Sequence, residues 1–205
     1  MQYLSGERAE PRGFIPQRIE TQRLDLRLAR RDDATALADV RSKNHAELWP
    51  WFHQEMGTTA EESSPDWQSQ RLTRDIDALN RRQRLPYIIW QQKQLIGRID
   101  VIPHWHEARF RLAYWISNTH QAKGYGSEAV TAVTQMAFRA LGAQRVTTGH
   151  AAHNRASAAL ARRLGFQPYA RQPNACLLPD GSSVDGLGYE RRNSERLPEV
   201  GARWR

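Results

Sequence analysis

Asn154 and Ser157, three apart in "HAAHNRASAALARRLGF", are the residues whose chemistry is easiest to specify. At the start of a helix they stand on one face, so an amide and a hydroxyl can address the same ligand. Both are also ordinary helix-capping residues, and capping is their competing role. A second set lies upstream in "YWISNTHQAKGYGSEAVTAVTQMAF", Tyr114 to Phe138. There a strand-like run meets a loop carrying Gly124 and Gly126, and Ser127 and Glu128 open a helix-like stretch. Such a junction gathers unpaired N–H groups at the positive end of a helix dipole, which suits an anion. Glycine lets the backbone approach that anion without intervening Cβ atoms, and a pyrophosphate would fit. The segment lacks the Gly-Lys-Ser/Thr ending of a Walker A loop and the third spaced glycine of a dinucleotide fold. A plain tight turn is the competing reading.

These residues must be positioned by regular elements. "RLDLRL", Arg23 to Leu28, alternates with the period of a half-buried strand. Asp32 or Asp33 can cap a helix through "ATALADVRSKNH", with Leu37 and Val40 on one face. The Trp49-Pro50-Trp51 cluster is broken by proline, and "GTTAEESSPDW" reads as a mobile loop before a helix near Gln68 to Arg82. "YIIWQQKQLIGRIDVIPHW" and "ARFRLAYWIS" predict three antiparallel strands with turns at Gln92-Lys93 and His106-Glu107. In the last of them Phe110, Leu112, Tyr114 and Ile116 share a face. The helix from Ser127 buries Val130, Val133 and Ala137 and can end at Gly142. "RVTTGH" predicts a strand, "NRASAALARRLGF" a helix closed by Gly165, and "ACLLPDGSSVDGLGYER" a hairpin. The order predicts a mixed α/β sandwich around one sheet in a single domain over 16–192, with a flexible arm at 1–15 and a flexible tail at 193–205.

Composition narrows the class. The 205 residues are enough for one substantial core, and no apolar run approaches the roughly 20 residues that span a bilayer. The start lacks the apolar stretch of a secretory signal, and Cys176 is alone, so a cytoplasmic location is expected. The net charge of +8 could attract a polyanion such as ribosomal RNA, or reflect an Arg-rich solvated surface. His104 and His106 invite a metal reading, but no third ligand accompanies them, so no metal is expected.

Taken together, Gln121-x-x-Gly124-x-Gly126 and Asn154-x-x-Ser157 before Leu164-Gly165-Phe166 resemble the GNAT superfamily of acetyl-CoA-dependent N-acetyltransferases. The Trp49-Pro50-Trp51 cluster, the "LAYWIS" strand and the "LLPDG" hairpin are similar to its RimJ/RimL branch, the ribosomal-protein N-terminal acetyltransferases, over roughly Ile19 to Arg191. The resemblance implies a largely antiparallel sheet splayed at its centre and flanked by helices. It implies that the strand of Tyr114, Trp115 and Ile116 parts from that of Val146 to His150, with the pantetheine arm of coenzyme A in the gap. The amides of Gln121, Ala122, Lys123, Gly124, Tyr125, Gly126 and Ser127 would take the pyrophosphate. Asn154 would bond the pantetheine, and Ser157 would lie near the sulfur as the catalytic acid. Ala122 stands where a third glycine is common in that family.

Acetyl transfer needs a neutral amine, a polarised carbonyl and a proton for the departing thiolate. An α-amine costs about 1 kcal/mol to deprotonate at pH 7 and a lysine about 4.6 kcal/mol, so an N-terminal substrate needs only a weak base. A backbone N–H near Ile116 could polarise the carbonyl, and Ser157 could protonate the sulfur. The glutamate that often follows "GF" in this branch is replaced by Gln167-Pro168-Tyr169. Tyr169, Tyr114, Asp100 and Glu55 remain as base candidates, each with a structural alternative. Trp49, Trp51 and Phe52 read equally as a hydrophobic anchor or as the amine entrance. The expected partners are a protein N-terminus or a small amine, the ribosome through the basic surface, and a second copy in a homodimer. A polyamine, aminoglycoside or amino-acid acetyltransferase, or a non-catalytic RNA-binding module, are the competing functions.

Overall fold

Residues 14–205 are described by a computed structural model. A hairpin of β1 (Arg18–Glu20) and β2 (Asp25–Leu28) leads into four helices, α1 (Ala34–Lys43), α2 (His45–Phe52), α3 (Thr59–Glu62) and α4 (Pro65–Asn80). The meander follows as β3 (Leu85–Gln91), β4 (Gln94–His104) and β5 (Arg109–Ile116). The chain continues through α5 (Tyr125–Arg139), β6 (Arg145–Ala151), α6 (Arg155–Arg163), β7 (Gln167–Leu177), β8 (Ser183–Arg191) and β9 (Arg203–Trp204). Among the described residues the strands form one sheet in the order β7-β8-β6-β5-β4-β3-β2-β1-β9. Every neighbouring pair is antiparallel except β5 and β6, which are parallel.

The strand period explains the layering. Phe110 and Leu112 point to a core shared with Val133 and Met136 of α5 and Ala161 of α6, all essentially buried. On the other face Trp115 joins Leu37, Leu72 and Ile88 in a second core under α1 and α4. The sheet is therefore sandwiched, as expected, with α5 and α6 on one side and the early helices on the other. No helix among the described residues is long and apolar enough to cross a membrane.

Three expectations need correction. First, α2 runs through Pro50 instead of breaking there. The proline gives up one internal hydrogen bond, but Leu48 is buried and Trp49 stacks on His45 at 5.2 Å, which holds the helix from outside. Second, the stretch read as a mobile loop is pinned. It contains α3, opened by a capping box between Thr58 and Glu61, and its Glu62 is fully buried. Glu62 receives Arg41 Nε at 2.6 Å, Gln68 Nε2 at 2.9 Å and the Gly57 N–H at 2.9 Å. Burial works to raise the Glu62 carboxyl, yet these donors, Arg41 foremost, hold it below the ordinary carboxylate range. Third, the tail is not free: β9 pairs with β1, Arg205 O accepts the Gln17 N–H at 2.7 Å, and Val200 is buried in the main core. Up to residue 13, the expected N-terminal arm lies outside the described residues.

Candidate active site

The site begins where β5 and β6 part. Their parallel register runs from Arg109↔Arg145 to Leu112↔Thr148 and stops, although β5 continues to Ile116 and β6 to Ala151. The orientation of the freed edges follows from strand alternation. Ser117 N–H donates to Ile96 O at 2.7 Å, so Trp115, two residues back, also turns its backbone groups to β4. Those of Tyr114 and Ile116 face the gap. Thr148 Oγ1 on Leu112 O at 3.3 Å and Gln121 Nε2 on Ile116 O at 3.0 Å lie on that same side. On β6, Ala152 N–H bonds Asp185 O at 2.8 Å, which by the same alternation turns Gly149 and Ala151 toward the gap. Two backbone edges thus confront each other without pairing.

The gap opens into a cleft of about 450 Å³ whose lining includes Tyr114, Thr148, Asn154 and Ser157 together with Trp51, Glu55 and His150. Asn154 caps α6, its Oδ1 accepting the Ser157 N–H at 3.0 Å, so one polar atom of Asn154 is committed and its Nδ2 amide remains. The Ser157 hydroxyl interacts with the Tyr114 phenol, which also meets Thr148. Burial pushes the Tyr114 hydroxyl up to about 12, against the opposing pull of Ser157 and Thr148. It therefore keeps its proton at neutral pH and is unsuited to be the base.

The loop before α5 is built as an N–H cradle. Gly124 sits at φ +83°, a left-handed conformation, and starts the helix. Among the described residues the N–H groups of Ala122 through Ser127 donate to no protein acceptor. Gln121 differs: its N–H bonds Asn118 O at 3.2 Å and its side chain bonds Ile116 O, so its amide is not free for an anion. Glu128 braces the cradle from behind, accepting Arg23 Nε at 2.6 Å and Thr21 Oγ1 at 2.6 Å, while Arg23 also donates to Lys123 O at 3.1 Å. Ala122 stands at φ +58°, a conformation that costs a residue with a Cβ about 1 kcal/mol. Ala122→Gly is accordingly expected to raise stability by about 1 kcal/mol, read as a melting temperature a few degrees higher.

The structure separates the sequence candidates. Tyr114, Ser157 and Asn154 come together in the cleft. Trp115 does not: its side chain is buried under α1 and its backbone faces β4. Asp100 is withdrawn into a network in which Arg98 donates to it at 2.9 Å and to Asp75 at 2.6 Å, and burial raises its carboxyl despite Arg98. Glu55 and Tyr169 line the cleft, and Tyr169 is 46% exposed at its rim. Trp51 and Phe52 also line it, with Trp51 against His153 at 5.0 Å, whereas Trp49 is held between His45 and His53. The aromatic cluster is thus divided between entrance and anchor. Sequence reading missed Arg23, Arg111 and Thr148. Nothing local marks them, since each acquires its place through strands distant in the chain.

A sheet split between two parallel strands, an N–H cradle in the loop after β5 and the hydroxyls of Thr148 and Ser157 in the cleft together form the candidate site. Residues 23–167 match the family model for the acetyltransferase (GNAT) domain, and the chain belongs to that family. It is an acetyl-CoA-dependent N-acetyltransferase by that membership. Similar solved structures include ribosomal-protein-S5-alanine acetyltransferase from Vibrio fischeri, at 19% identity, 89% of this chain, 99% of that one and a TM-score of 0.76. RimJ from Mycobacterium smegmatis, in complex with CoA-disulfide, aligns at 19% identity over 96% of this chain and 98% of its own, with a TM-score of 0.78. RimL, a ribosomal L7/L12 α-N-protein acetyltransferase in complex with coenzyme A, aligns at 22% identity over 85% and 96%, with a TM-score of 0.77. These likenesses establish the fold. No match was found among curated proteins.

Proposed function

We propose that the chain acetylates the α-amine of a protein N-terminus, as the names of its RimJ and RimL neighbours suggest. The observation that carries this reading is the character of the cleft. Among the described residues its one lining carboxylate is Glu55, its partly buried phenol Tyr114 is held protonated, and Asp100 is locked away with Arg98. The cleft is also lined by the His150 imidazole, whose Nδ1 lies 2.9 Å from Ala151 O, and a site with one carboxylate and one imidazole suits an amine that is already partly neutral at pH 7.

The residues present fit coenzyme A. The free N–H groups of Ala122 through Ser127 suit a pyrophosphate, and the backbone groups of Tyr114 and Gly149 with the N–H groups of Ile116 and Ala151 suit the amides of an extended arm, the Ile116 and Ala151 carbonyls being taken by Gln121 and Asn154. Bound there, coenzyme A would supply a thioester-activated acetyl group. Asn154 Nδ2 can orient the arm, the Ile116 N–H can donate to the acetyl oxygen, and Ser157 can deliver a proton to sulfur. Glu55 receives the ammonium and Trp51 shields it from water. The positive net charge favours encounter with acidic partners, ribosomes among them.

The test of substrate class is mass spectrometry of peptides and small amines incubated with acetyl-CoA, with a gain of one acetyl on the α-amine expected. Exclusive modification of polyamines or aminoglycosides would overturn the reading. The cradle is tested separately. Ser127 is the third residue of α5, so Ser127→Glu places a favourable acid in the first helical turn while setting it against the bound anion. The variant is expected to fold at least as stably and to bind coenzyme A about thirtyfold more weakly, measured by calorimetry.

A further inference from the structure

Two unpaired charges of opposite sign line the acceptor side of the cleft. Glu55 comes from the short turn after α2 and Arg111 from β5, and both line the same cavity of about 450 Å³. Arg111 shares its sheet face with Ala113 and Trp115, the face opposite the one that Phe110 and Leu112 turn to α5. It therefore stands on the side from which an acceptor would enter. Its strand neighbours are neutralised: Arg109 meets Glu107 at 2.7 Å, and Arg145 meets Glu190 at 3.1 Å. Among the described residues Arg111 has no ion pair, and the Glu55 carboxylate has none either. Glu55 binds within the protein through its backbone carbonyl, which accepts from Arg71.

We infer that Arg111 selects acceptors carrying a carboxylate close to the amine that reacts, so that the preferred peptides have Asp or Glu within their first three residues. This rests on the proposed N-terminal acetylation and deepens it. Glu55 takes the ammonium, and Arg111 takes the anion farther along the acceptor. The cavity has the size of a small-molecule site and admits only the first few residues of a chain, which advance about 3.4 Å each. An acidic side chain beyond them lies outside the reach of Arg111. A basic side chain in the same place meets like charge, which is the repulsive half of the selection.

The experiment compares kcat/KM for peptides that differ only in Asp, Asn or Lys at the second or third residue, using wild type, Arg111→Gln and Arg111→Glu. The set also includes aspartate α-amide and asparagine α-amide as small acceptors. The wild type is expected to prefer Asp over Asn roughly tenfold, the preference shrinking at high salt. Arg111→Gln should bring the ratio near one, and Arg111→Glu should favour Lys. Because each ratio is taken within one variant, a general loss of activity does not imitate the result. Neutral peptides turned over by wild type without an Asp preference would overturn the role of Arg111 and leave N-terminal acetylation standing. An Asp preference confined to the small amides would support Arg111 and overturn the peptide reading. An Asp preference unchanged in Arg111→Gln assigns it elsewhere, and turnover of nothing in the set overturns both.

Discussion

Ser157→Ala is expected to lower kcat by two to three orders of magnitude while changing the affinity for acetyl-CoA little. The departing thiolate needs a proton mainly in the transition state, so losing its donor falls on kcat. The variant is a clean one, because Asn154 Oδ1 caps α6 through the backbone N–H of residue 157 and not through the hydroxyl. The helix therefore keeps its cap. Tyr114 stands behind Ser157, and burial keeps its phenol protonated. Tyr114→Phe should reduce kcat less, since Ser157 can still donate but loses its support. Stopped-flow measurement of thiol release, with calorimetry for donor binding, separates the two quantities. Equal losses in both, or no loss, would return Ser157 to a purely structural place.

A free α-amine should be acetylated more than a hundredfold faster, in kcat/KM, than a lysine side chain presented in the same peptide. The difference in amine pKa corresponds to roughly 3 kcal/mol at neutral pH before any binding preference is counted. The groups lining the cleft that could offset it are Glu55, Tyr169 and the His150 imidazole. Asp100 is tied to Arg98, and burial holds the Tyr114 phenol protonated at pH 7. The rate should therefore climb about tenfold per pH unit below the α-amine pKa and level above it, near pH 8. Initial rates from pH 6 to 9 on both peptide types provide the measurement. Efficient lysine acetylation at pH 7 would mean that Glu55, Tyr169 or His150, all lining the cleft, acts as the base.

Much of this protein was legible in one dimension, for a physical reason. The two-residue period of "RFRLAYWI", the glycine before α5 and the Asn-x-x-Ser at the start of α6 are local features whose outcome depends on neighbours a few residues away. They fixed the strand and helix order, the sheet-centred sandwich and the anion-suited junction, and the family resemblance followed from them. Where local preference and packing disagreed, the sequence misled. Pro50 argued against a helix that buried Leu48 and the stacked Trp49 sustain, and the polar run before Trp67 hid a glutamate destined for a buried pair with Arg41.

What only the tertiary structure decided is which groups face one another. Whether Trp115 or Tyr114 presents its backbone to the gap depends on the register of β5 against β4, and a shift of one residue would exchange them. The brace of Arg23 on Glu128 joins residues 105 apart, and the withdrawal of Asp100 depends on Arg98 and on Asp75 of α4. Arg111 and Glu55 become opposing charges only because β5 and α2 border the same cleft. Pairings of this kind follow from the closure of the whole sheet, and no window of the sequence contains both partners.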